Sequence, residues 1–282
     1  MRGRIHYGFD GKARHVGGCR RPVATKVSHP HLFRGVEDFL PKTPVLPTPP
    51  PSLDYYSVCM PALSNIDGNG TYGDCVCAWI IHMVCAITAA AGNPVVLGEA
   101  DALALYTAVT GFNPSDPSTD QGTDPIAALQ YVQQNGIDGK GTHKIAGWLT
   151  VDASNPVLIR QMLDLFGPAL MMWLCLPDSY MHAAASGPGF TWQKDTPDAN
   201  NGHCIGSVGY VPGKLVIDTW GDMPGYIEDD AVASECTDVA GGGLVIVLTK
   251  EILSAATQKS PTGLDWTGIL QVFDGLGGSV AA

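Results

Sequence analysis

The sequence predicts an α+β protein: a helical first half with one central helix, packed against a mostly antiparallel sheet or barrel, and an extended basic, proline-rich N-terminal arm ahead of both. Helical patterning dominates the first half, with an apolar run at 75–91 stopped by Gly92-Asn93-Pro94 and stretches at 98–110 and 125–135 that close on Gly111 and Gly136, as helix C-termini do. Past residue 169 the pattern changes to short β-type apolar runs at 169–176, 204–210, 215–218 and 243–248, divided by Gly-, Pro- and Asn-rich loops. Helices first and strands second argue for two halves with a cleft between them.

In chain order, residues 1–52 form the arm, ending in the run Lys42-Thr43-Pro44-Val45-Leu46-Pro47-Thr48-Pro49-Pro50-Pro51, a stiff polyproline-type spacer. Within it only 36–40 suggests a helical turn. The body is expected at 53–282, divided into a mainly helical 53–168 and a β-rich 169–282. The run at 75–91 is apolar nearly all round and so is expected to be a buried central helix. A strand at 144–151 and a helix at 155–166, opened by Pro156, complete the first half. Helical pieces at 250–258 and 264–273 are expected to close the second.

Charge is distributed unevenly. Residues 1–42 carry nine of the sixteen Lys and Arg against three acids, a net +6, which leaves −17 on the remainder. A basic arm on an acidic body suggests docking on something negative, its own body or a neighbouring subunit; a solvated, mobile terminus is the other reading of the same charge. The start of the chain shows no apolar signal-like run, and no stretch reaches the ~18 apolar residues of a membrane helix. The expectation is therefore a protein without a signal peptide or membrane partner, cytoplasmic or virion-associated. Eight cysteines are present, but Cys75-x-Cys77 is too tight for paired zinc ligands, and no second pair follows at finger spacing. Asp116, Asp120 and Asp124 sit among prolines without a closing Glu, so they read as loop caps rather than a calcium loop. No nucleotide fingerprint is present, and no metal, cofactor or nucleic-acid partner is expected.

Chemistry concentrates at two stretches. In the first, Asn69-Gly70-Thr71-Tyr72-Gly73-Asp74-Cys75, a Gly-rich loop enters a helix, and a thiol at that junction meets unpaired N–H groups and the positive end of the helix dipole. In the second, Gly202-His203 opens a strand that turns at Pro212-Gly213 and returns to Asp218-Thr219-Trp220-Gly221. Such a hairpin is expected to bring Asp218 to one nitrogen of His203 and leave the other facing the thiol.

These motifs, with Val208-Gly209-Tyr210 at the end of the His203 strand, resemble the papain-like cysteine peptidases over about residues 60–250. They are nearest to a divergent bacterial and phage-borne group that reads Gly-Asn-Asp-x-x-Gly-Asp-Cys at the nucleophile. The resemblance implies Cys75 as nucleophile, His203 as base, Asp218 as orienter, and Asn69 as an oxyanion donor beside the Cys75 N–H. Gly73, Asp74 and Gly202 line the site, and Trp220 shields the histidine bond. The chain departs from the family by having Asn69 where a Gln is usual and Asp218 where papain has Asn. Cys77 competes with Cys75 but points about 200° away on a helix, into the core. His82, about 10 Å along the same helix from Cys75, is out of reach as a base and reads as a hydrogen-bonded core or cleft residue. His6, His15, His29, His31, His143 and His182 read as surface residues, and Trp173, Phe190 and Trp192 as packing or cleft lining.

The implied activity is a thiol hydrolase that cleaves a peptide or isopeptide bond of a peptide or protein substrate through a Cys75 thioester, the pair titrating as thiolate and imidazolium. The alternative is an inactive papain-like module, such as a phage virion component, assembling with neighbours through residues 1–52. A third reading, the arm as a propeptide blocking the cleft, ranks last because the arm has no long amphipathic helix.

Overall fold

The structure, a computed structural model, describes residues 4–7, 11–23, 35, 46, 48–221 and 223–249. The expected helices at 36–40, 250–258 and 264–273 lie outside the described residues. The arm contributes a hairpin of β1 (Arg4–Tyr7) and β2 (Ala13–Val16), and β3 (Leu53–Asp54) opens the body. Helices α1 (Tyr56–Leu63), α2 (Cys75–Ala90), α3 (Glu99–Thr110) and α4 (Pro125–Asn135) follow, then β4 (Ile145–Thr150) and α5 (Pro156–Phe166). The remainder is β5 (Leu170–Cys175), α6 (Asp178–Ala184), β6 (Thr191–Trp192), β7 (Gly202–Val211), β8 (Lys214–Asp218), β9 (Gly225–Glu228), α7 (Asp229–Glu235) and β10 (Gly243–Thr249).

Local chemistry explains several boundaries. Asp124 caps α4 by accepting from the Ile126 and Ala127 N–H groups, with Pro125 at the first helical position. Asn155 does the same for α5 through the Leu158 N–H. Gly111, at φ 76°, ends α3 in the left-handed conformation.

The strands join in one sheet of order β4-β10-β5-β7-β8-β9-β6, with β3 paired to β7. All pairings in it are antiparallel except β6 with β9. The sheet thus recruits β3 and β4 from ahead of residue 169. Against it lies α2, buried from Cys75 to Thr88. Each large apolar side chain on it, such as Ile80, Ile81 or Met83, contributes about 1.5–3 kcal/mol by leaving water. Helix and strand meet closely at Gly206 of β7, where a Cβ would fall 1.8 Å from the Trp79 ring. That contact fixes the depth at which the start of α2 meets the start of β7.

Candidate active site

Cys75 is the first residue of α2 and is 1% exposed. The Cys204 backbone N–H, one residue beyond His203, interacts with its sulfur. The loop ahead of the helix is pinned from outside. The Gly73 N–H donates to Asp120, 3.0 Å from Oδ1, and Asp120 in turn accepts from the Tyr106 hydroxyl at 2.6 Å. Asp116 caps the Ser118 N–H, so the Asp116, Asp120 and Asp124 carboxylates serve backbone and hydroxyl donors, and no metal-binding cluster occurs among the described residues. Asn69 is buried in the same loop, and its side-chain oxygen has no hydrogen-bond partner. Asp74 is also buried, with both carboxyl oxygens unpartnered; burial pushes its pKa well above the usual carboxylate range. Cys77 packs in the core.

His203 differs from expectation in its partner. Its Nε2 lies 2.9 Å from the Thr219 hydroxyl, and Asp218 instead bonds Nδ1 of His82. Strand alternation gives the reason. Asp218 stands opposite Gly206, and cross-strand partners share a face. Gly206 faces Trp79, so Asp218 also points at α2, where His82 lies one turn beyond Trp79. His203 is an odd step from Gly206, and Thr219 an odd step from Asp218, so both project from the other face. Trp220 stacks on the His203 ring at 4.3 Å between centroids. The Nδ1 atom of His203 has no hydrogen-bond partner, so the thiol–imidazole bond is not formed in this state.

The cleft is occupied by the chain's own arm. The Gly17 and Cys19 N–H groups both donate to the Gly202 carbonyl, at 2.9 and 3.1 Å. The His15 N–H donates to the Asn69 carbonyl, and the Trp220 indole donates to the His15 carbonyl. On the opposite wall the Thr123 N–H donates to the Gly18 carbonyl, and Gly18 and Gly73 are so close that a Cβ on Gly18 would lie 2.6 Å from the Gly73 Cα. Arg14, His15, Val16 and Cys19 are consequently buried. His15 therefore lines the cleft and is not a surface residue. Arg4 anchors the hairpin on Asp198 and Asn201. Beside the arm a cavity of about 310 Å³ remains, between Cys19, Arg20 and Arg21 on one side and Trp173, Cys175 and Gly202 on the other.

Burial under the arm sets the protonation state. It pushes the Cys75 thiol up to about 12 and the His203 imidazole down to about 3, the latter helped by nearby His15. The pair is neutral in this state, thiol and imidazole, and the expected thiolate–imidazolium unit is absent.

Two features were missed in the sequence. The hydroxyl of Thr219 was legible in principle, since alternation along Asp218-Thr219-Trp220 offers either residue to His203. The path of the arm had no local signal, because its contacts with Asn69, Gly73 and Gly202 span 54 residues or more of chain.

Comparison with solved structures gives the fold. Xylellain, a cysteine protease from Xylella fastidiosa, superposes with a TM-score of 0.58 at 11% identity, over 83% of this chain and 97% of that one. Procathepsin B S9 from Trypanosoma congolense gives 0.53 at 14% identity, over 81% and 86%. Digestive procathepsin L 3 of Tenebrio molitor larval midgut gives 0.52 at 14% identity, over 81% and 76%. No family model matches the sequence, and no curated protein matches it. The chain has the papain-like α+β fold.

Proposed function

We propose that the protein is a papain-like thiol hydrolase held latent by its own arm, acting on a peptide or isopeptide bond. One observation carries the reading: on the strand whose Cys204 N–H meets the Cys75 sulfur, His203 is fixed at Nε2 by Thr219 while its Nδ1 is left unpartnered. With Nε2–H donating to the threonine hydroxyl, Nδ1 is a free acceptor.

Once the arm leaves, water and substrate reach the pair and the cause of both pKa shifts is removed. The Cys75 proton passes to Nδ1 of His203, and the thiolate adds to the substrate carbonyl. The resulting oxyanion is received by the Cys75 N–H and the Asn69 amide, donors that in a dry cleft are worth about 3 kcal/mol each. Collapse expels the amine, which takes the proton from His203 and leaves a thioester on Cys75. Water then attacks the thioester, His203 accepts its proton and returns it to the sulfur, and the acid departs. Trp220, stacked on the imidazole, keeps water from the His203–Thr219 bond. The cavity beside Gly202 offers room for a substrate side chain.

The extended course of residues 13–19 supports the arm as a cleft-blocking segment. A long helix is not needed for this, because the backbone N–H groups of a strand suffice to fill the cleft. The arm's hydrogen bonds to the chain's own body, from Arg4 to Val23, favour this reading over assembly with neighbours through residues 1–52. Among the described residues no helix is long and apolar enough to cross a membrane.

The test is covalent labelling by an epoxide or iodoacetamide, with peptide mapping, in wild type and Cys75→Ala. Slow labelling at Cys75 in the wild type, limited by opening of the arm, and its loss in the variant together with the hydrolysis that appears once the arm is displaced, is the expected result. Undiminished labelling and hydrolysis in Cys75→Ala would sink the reading.

A further inference from the structure

Where α2, the end of β8 and the loop ahead of α2 come together, three buried ionisable side chains meet, and the proposed chemistry makes no use of them. His82 on α2 is 5% exposed, and Asp67 and Asp218 are each 2% exposed. Nδ1 of His82 bonds Asp218. Its Nε2 stands 2.9 Å from Asp67 Oδ2, an ion-pair contact that lies off the hydrogen-bond line. The residues come from three separate elements. Asp67, held at a left-handed φ of 48°, belongs to the loop between α1 and α2 and precedes Asn69 by two residues. Asp218 ends β8, and the next residue, Thr219, holds Nε2 of His203.

An apolar side chain would fill the space at His82 without desolvating a charged cluster, and buried ion pairs are weak contributors to stability. What the cluster does supply is direction, because an imidazole with two opposed nitrogens fixes two carboxylates at a set separation. We propose that His82 is a positioning residue for the Cys75–His203 site. It acts through Asp218 on the threonine that orients His203, and through Asp67 on the loop that carries Asn69, a role that rests on reading the pair as hydrolytic.

The electrostatics agree with this geometry. Burial by itself lowers the His82 pKa, but Asp218 and then Asp67 outweigh it and hold the group at about 10. The groups facing the cluster are Asp218 from β8, Asp67 from the loop, Cys85 on the next turn of α2, and Asp74 across Gly68. The last two are pushed up by burial, and Asp67 adds to both shifts. The double tie is therefore intact at neutral pH and is released as pH rises through about 10.

The experiment follows ring nitrogens and ring protons by NMR in the full-length chain labelled with 15N-histidine, against pH, for wild type, His82→Gln and Asp218→Asn. In wild type, His82 is expected to carry protons on both nitrogens to about pH 10, while His203 keeps one tautomer with a slowly exchanging Nε2 proton. That signature should change as His82 deprotonates. In His82→Gln the Nε2 proton of His203 should exchange about tenfold faster or more at neutral pH, the factor that accompanies about 1.4 kcal/mol of lost bonding. In Asp218→Asn, His82 should lose its proton at lower pH and the His203 change should move with it. Thermal unfolding of each variant checks that it is folded. A His203 signature that ignores the His82 titration, in wild type or Asp218→Asn, would overturn the role and leave a merely structural ion pair. A folded His82→Gln protein with wild-type His203 signals would do the same. If His82→Gln does not fold, the wild-type and Asp218→Asn titrations decide. None of these readouts needs turnover, so an unreactive Cys75 would be seen separately, as a failure of the hydrolase reading.

Discussion

Gly202→Ala separates the arm from the site with one methyl group. A Cβ at this position would lie 2.0 Å from the Cys19 carbonyl oxygen, a backbone atom that cannot swing aside as a side chain would. Residue 202 has no left-handed φ, so alanine fits the strand itself, and the collision falls on the arm alone. Two hydrogen bonds depend on the seated arm at this point, from the Gly17 and Cys19 N–H groups to the Gly202 carbonyl. Their loss costs about 0.5–1.5 kcal/mol each, and the overpacking about 1–3 kcal/mol. The lower sum, about 2 kcal/mol, corresponds to a roughly 30-fold rise in the arm-open population. With fast reclosing, modification of a protected group follows that population. The assay is alkylation of the native full-length chain by iodoacetamide with peptide mapping, Cys77 in the core serving as the internal control. Cys75 should react about 30-fold faster or more in Gly202→Ala, with Cys77 unchanged. A folded Gly202→Ala protein whose Cys75 reacts no faster than wild type would refute both the seating of the arm and its role as the cover of the site.

Three further outcomes are expected. Asp74 is an acid whose folded pKa is raised by burial, so it lowers stability as pH rises above the ordinary carboxylate range; Asp74→Asn should melt higher than wild type at pH 7, with the gap closing in acid, and an equal or lower melting temperature would count against an unpaired carboxyl there. Gly206→Ala places a methyl against the Trp79 ring and should lower the unfolding free energy by about 1–3 kcal/mol or more, measured by urea titration; an unchanged midpoint would show that helix and strand separate easily. His82 has a folded pKa raised from 6.5 to about 10, so its contribution to stability is full below about pH 6.5 and is lost as pH rises through about 10. Melting temperatures across that range should fall in wild type and fall less in His82→Gln.

Much of the body was legible because its signals are local. Helix α4 was expected at 125–135 and is found as Pro125–Asn135, since Asp124 and Pro125 mark its start and Gly136 its stop within a few bonds of the helix. Helix α2 and strands β5, β7, β8 and β10 were marked by apolar runs with turn residues at their ends. Helices α1, α6 and α7 were missed. Each is 7 or 8 residues long, and α1 contains Pro61, so their helicity comes from packing and not from propensity.

At the site, residue types and order were readable: a thiol at a helix start, a histidine opening a strand, and an Asp-Thr-Trp-Gly return. Their connections were not. Whether Asp218 or Thr219 meets His203 depends on which face of β8 turns towards α2, and that follows from the contact of Gly206 with Trp79, residues 127 positions apart. The same contact sends Asp218 to His82, which by sequence alone had no stated partner. The charge of the arm was evident and so was the acidic body, but charge is not directional, and it left open whether the arm would dock on its own chain or another. Backbone hydrogen bonds from Gly17 and Cys19 to Gly202 are directional and close only in the folded state. The sequence by itself thus determined the longer elements, their order, and the thiol and imidazole they carry. Only the tertiary structure decided how those groups are paired and that the arm covers them, because pairing depends on strand faces and long-range contacts that no local window contains.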